Sequence, residues 1–164
     1  HVVIPLAPDL FSVQGLRNLG PTLRTWRTGW QERVARNPDP AGLPLPAGRM
    51  QAAGYVLLQH GIRLGKPVRA FQRWMDRVPP VYRSSVLGMT GAVAPAIDQD
   101  EFCLAQVKNY ASLVPMAQDA RKPVFALTAA DGAFGGHQQA AQRAFGEFRT
   151  LTWRVLEAAG LTES

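Results

Sequence analysis

The stretch Val2-Val3-Ile4-Pro5-Leu6-Ala7-Pro8-Asp9-Leu10-Phe11-Ser12 decides the fold class. The apolar run at 2–6 reads as a buried strand already under way at residue 1. Pro8, Asp9 and Ser12 then supply helix-start chemistry, a fixed φ and short side-chain acceptors for free N–H groups. A strand that runs through a tight turn into a helix is the repeating unit of an α/β domain. A chain that opens in mid-strand, on His1 and not on an initiator Met, predicts a fragment of something longer.

Working outward, a short helix runs through Leu19 and is interrupted at Gly20-Pro21. A second helix from Pro21 places Leu23, Trp26, Trp30 and Val34 on one face. Residues 38–48 carry four prolines and two glycines and read as a loop. Ala53 to Leu58 is a continuous apolar run, as in a parallel strand covered on both faces. A helix from Pro67 to Val78 turns Val68, Phe71, Met75 and Val78 inward, Pro79-Pro80 breaks it, and a shorter helix follows through Leu87. Residues 88–100 form another loop. Phe102 to Val107 reads as a third strand, Ser112 to Ala120 as a helix capped by Ser112, and Lys122 to Leu127 as extended. The last helix is the clearest: Ala141, Phe145, Phe148, Leu151, Val155 and Ala159 keep a 3.6-residue period, and Gly160 stops it. This order predicts one α/β domain over 1–164, a mostly parallel sheet flanked by helices in three layers.

Composition narrows the function classes. The chain has 164 residues, of which 46% are hydrophobic, spread in short blocks. That excludes a disordered chain, and no apolar run approaches the length of a membrane span. No secretory leader opens the sequence, and the single cysteine, Cys103, allows no internal disulfide; both suit a reducing cytoplasm. The net charge is +6, and 15 of 18 basic residues are arginine. Arginine pairs bidentately with phosphate, which favours a polyanionic partner, while a G- and C-rich genome inflates arginine equally well.

The segment Val3 to Ser12, followed by Gly15-Leu16, resembles the strand-to-helix segment of ParA/Soj-type ATPases, the deviant-Walker partition proteins. The strand Gly54-Tyr55-Val56-Leu57-Leu58 is similar to the next one in that family. Leu113, Ala117 and Lys122-Pro123-Val124 resemble its late signature, and the closing amphipathic helix has a counterpart. The likeness runs over most of the chain in the right order, and the long loops 38–48 and 88–100 mark a divergent branch.

The resemblance implies a partial P-loop-NTPase-like domain, the C-terminal half of a DNA-partition ATPase. Intact, such a protein binds ATP with Mg, dimerises, coats DNA without reading sequence, and answers to a ParB-like stimulating protein. The half read here lacks the phosphate loop, so alone it is expected to be inactive and to hold no nucleotide tightly. An open sheet without its central strands should recruit the missing half or self-associate. Gly61-Ile62-Arg63-Leu64-Gly65-Lys66-Pro67 is not a phosphate loop: it is one residue short between its glycines, and Pro67 replaces the metal-binding hydroxyl.

Candidate sites follow. Gln59 and His60, after the second strand, and Lys108 and Asn109, after the third, would face the adenine, where an amide offers a donor and an acceptor together. Lys66, Arg69, Arg73 and Arg77 recur every three or four residues on one helix face, a pattern that suits DNA phosphates or a solvated face. Arg24 and Arg27, and Arg143, Arg149 and Arg154 on the last helix, are further candidates. His137 beside Gly135-Gly136 opens a helix. No Cys/His cluster has metal-ligand spacing, and no motif orders a hydrolase triad. Trp26, Trp30, Trp74 and Trp153 sit at core spacings, and Cys103 reads as a buried thiol. The rival reading is a non-catalytic, ParA-derived DNA- or protein-binding module.

Overall fold

The structure, a computed structural model, describes residues 1–161 apart from 61, 64, 65, 68 and 92, with the backbone alone at 59, 60, 62, 63, 66, 67, 69 and 70. Three parallel strands form the sheet: β1 (Val2–Leu6), β2 (Ala52–His60) and β5 (Cys103–Lys108), side by side in the order β1-β2-β5. Two short antiparallel strands, β3 (Ile62–Arg63) and β4 (Lys66–Pro67), form a separate pair. The helices are α1 (Leu10–Ala35), α2 (Arg69–Met75), α3 (Val78–Val81), α4 (Leu113–Ala120) and α5 (Gly136–Ala158). A π-helical turn, Tyr82–Leu87, continues α3 and ends at Gly88.

Alternation along the strands builds two cores. Ile4, Leu6, Tyr55, Leu57 and Cys103 pack with α1, α2, α3 and the π-turn. Val56, Leu104 and Val107 pack with α4 and α5 on the opposite face. The predicted parallel α/β sheet between helical layers is therefore present. No helix among the described residues is long and apolar enough to cross a membrane.

Several element boundaries differ from the sequence reading, each for a packing reason. Gly20-Pro21 does not divide the first helix; α1 runs through both. Gly20 is a close-approach point, since a Cβ there would lie 1.8 Å from the Ser85 carbonyl oxygen. Leu16, Gly20 and Leu23 all bury on this face, and that packing overrides the cost of about 3 kcal/mol of an interior proline. Pro79-Pro80 does not break a helix. The two prolines open α3, where missing N–H groups cost nothing. The α2 helix is correspondingly shorter than predicted. Lys122–Leu127 is not extended throughout, because Val124–Ala126 forms a 3₁₀ turn under α5. Trp26 and Trp153 are 58% and 61% exposed, so neither is core. Trp30 instead fastens the 38–48 loop, donating from Nε1 to the Pro46 carbonyl at 2.9 Å.

Both outer strands carry edge devices. The Val2 N–H donates to the Gln51 carbonyl at 2.8 Å, so strand alternation turns the nitrogen of Pro5 to the open side of β1. In β5 the register passes from Tyr55↔Cys103 to Val56↔Ala105, which leaves Leu104 as a bulged residue. Arg154 Nη1 takes the Leu104 carbonyl at 3.2 Å.

Candidate functional site at the carboxyl ends of the strands

Parallel α/β sheets hold ligands beyond the carboxyl ends of their strands. The chain places its predicted base-pocket residues at that edge. Gln59 and His60 close β2, Lys108 closes β5, and His60 and Lys108 are register partners. The side chains of Gln59 and His60 lie outside the described residues.

Beyond β5 lie several polar contacts, of which one is a connected trio. Lys108 Nζ lies 2.7 Å from Glu147 Oε1, and the Tyr110 hydroxyl donates to the other oxygen of the same carboxylate. Burial, then the Glu147 bond and charge, push the Tyr110 hydroxyl above its ordinary range. Asn109 Oδ1 accepts from the Ala111 N–H at 2.7 Å, and Ala111 sits at φ 41°, an uncommon conformation for alanine. Ser112 does not cap α4 with its side chain; its hydroxyl lies 2.9 Å from His137 Nε2 at the start of α5. Tyr110, Glu147 and the Ser112–His137 pair were not legible in the sequence as one site. Glu147 is 39 residues from Lys108, and only the docking of α5 on the sheet brings them together.

The polar groups at this edge are largely committed to one another. The Lys108 ammonium is already paired with Glu147, and the Asn109 carbonyl oxygen holds its own turn. Among the described residues, no group of three His, Cys, Asp or Glu side chains could hold a metal ion.

The basic candidates do not form one stripe. Lys66 lies in β4 and Arg69 opens α2, with side chains outside the described residues. Arg73 and Arg77 are exposed and flank the Trp74 ring, at 6.0 and 4.7 Å from its centroid. Arg77 belongs to the start of α3, not to α2. On α5, Arg143 and Arg154 share a face by helical spacing, Arg149 points about 120° away, and Arg154 is engaged with Leu104. Arg24 reaches the Ser85 carbonyl at 3.0 Å.

Two features went unread in the sequence. Asp100, its side chain fully buried, accepts from Tyr55 Oη at 2.6 Å, Arg83 Nη1 at 2.7 Å and the Phe102 N–H at 3.1 Å. Beside it, a cleft of about 620 Å³ opens along the outer edge of β5, between the Ile97–Glu101 segment and the end of α5.

No family model matches the chain, and neither a curated protein nor a solved structure matches it.

Proposed function

We propose that the chain is the C-terminal half of a ParA-like ATPase for DNA partitioning. One observation carries the reading. The residues of the resemblance fold as a strand, a turn and a helix: β1 ends at Leu6, Ser12 Oγ accepts from the Ala7 N–H at 3.0 Å, and Asp9 Oδ1 accepts from the Ser12 N–H at 2.7 Å. Leu16, of the Gly15-Leu16 pair, is fully buried against the sheet. The three strands follow in chain order, which suits one side of a doubly wound sheet.

In this reading the half supplies sheet, base-pocket wall and DNA-facing arginines. ATP, Mg and the reacting groups belong to a preceding phosphate-loop half, which also covers the open side of β1. Pro5 limits pairing there to the first residues of the strand. Gln59, His60, Lys108 and Asn109 wall the base pocket. Arg73 and Arg77, preceded in the chain by Lys66 and Arg69, meet DNA phosphates on one surface, and Arg143 or Arg149, which point about 120° apart on α5, on another. The intact protein is cytoplasmic and nucleoid-associated, dimerises on ATP, and is stimulated by a ParB-like partner.

The rival is a non-catalytic, ParA-derived DNA- or protein-binding module, favoured by the Lys108–Glu147 pair, which leaves the lysine no free charge for a nucleotide. Random-sequence DNA tests the shared part of both. Binding should weaken steeply with salt and fall in an Arg73→Ala/Arg77→Ala variant. Salt-independent binding, or none, contradicts the DNA-facing role in both and leaves only a protein-binding module.

A further inference from the structure

We propose that the cleft along the open edge of β5 receives an extended, lysine- or arginine-rich peptide segment of a partner protein, which adds to the sheet as a strand beyond β5. Among the described residues β5 pairs with β2 alone, so its other side presents unpaired backbone groups. The Leu104 bulge and Arg154 occupy the beginning of that edge, which leaves the part after the bulge, Ala105 onward, for pairing. The cleft lies along it, and its volume of about 620 Å³ falls in the range of ligand-holding clefts. Strand addition supplies affinity through main-chain hydrogen bonds and selects by side chains.

Charge chooses the occupant. Asp98, Glu101 and Glu157 line the cleft with Arg154. Asp100 also lines it, but Arg83 and Tyr55 already hold that carboxylate; Arg83 Nη2 lies 3.5 Å from the exposed Glu101 as well, and Asp98 keeps its charge while accepting from the neutral Gln106 amide at 2.8 Å. The walls are therefore negative on a chain of net charge +6. Nucleic acid is repelled here. A second copy paired through the same edge would set these carboxylates against their own equivalents, which disfavours a symmetric dimer. A basic strand meets opposite charge chiefly on the Ile97–Glu101 wall, since Glu157 shares the α5 wall with Arg154. The inference stands independently of the proposed ATPase reading.

The test uses the purified chain and a labelled peptide alternating valine with lysine, against its valine–glutamate counterpart. The lysine peptide should bind saturably and slow amide hydrogen exchange in β5. A Glu101→Gln/Glu157→Gln variant with unchanged circular dichroism should bind about five- to tenfold more weakly, the loss of two part-exposed charge pairs. Failure to saturate, equal binding of the glutamate peptide, unaltered exchange in β5, or undiminished binding by the variant overturns the proposal.

Discussion

The hydroxyl of Tyr55 donates to the buried carboxylate of Asp100 at 2.6 Å, tying the middle strand to the segment that leads into β5. Arg83, from the π-turn, closes the same carboxylate at 2.7 Å and lies over the Phe102 ring at 4.8 Å. Three elements distant in sequence thus meet on one charge.

A buried charge left without its partner is costly, so Arg83→Met should destabilise the chain by about 3–5 kcal/mol. Tyr55→Phe leaves Arg83 and the Phe102 N–H in place and should cost less, about 1–3 kcal/mol. Urea denaturation of both variants checks the order; a reversed order would remove the ion pair from its central place.

Burial, and then the Asp100 charge, push the Cys103 thiol from 9.0 up to about 12. Between those values the unfolded chain releases a proton that the folded chain keeps, so stability falls as pH rises through that window. The decline reaches at most about 1.4 kcal/mol per pH unit. Tyr55 and Tyr82, also raised chiefly by burial, add to it above pH 10. Cys103→Ala should flatten the decline between pH 9 and 10 and lessen it up to about pH 12, as read by denaturation midpoints across pH.

At the other extreme, Asp131 is held down at about 2 by Lys122, then by the Thr128 N–H and hydroxyl. Its contribution is present above 3.8, the ordinary value, and is lost as pH falls toward about 2. Asp131→Asn should remove that acid limb, and an unchanged acid profile would show the cap to be idle.

Gly20→Ala tests the seam between α1 and the π-turn. The new methyl meets the Ser85 backbone carbonyl, which has no free end to swing away. The substitution should cost about 1–3 kcal/mol or more, although alanine favours helix. A stabilised variant would contradict the packing.

The same pair shows where the sequence is readable. Strand, turn and first helix lie within a dozen residues, and local caps and apolar runs suffice to find them. Gly20-Pro21 reads as a break because propensity is local, whereas the packing that α1 meets there comes from Ser85, far along the chain. That His60 and Lys108 end their strands was legible because the apolar runs stop there. Glu147 and Asp100 were not, since their meaning depends on partners brought by helix docking. The exposed Trp26 and Trp153 mislead for a related reason: helical spacing names a face but does not say what covers it.

The most direct test of the partition-ATPase reading is Mg-dependent ATP hydrolysis by the protein translated continuously through the coding sequence that precedes His1. The reading predicts a Gly-Lys-Gly-Gly-x-Gly-Lys-Ser/Thr-like loop within about a hundred residues upstream. It also predicts turnover that replacement of the loop lysine abolishes, and none by residues 1–164 alone. Absence of such a loop, or turnover by the 164-residue chain by itself, would contradict it.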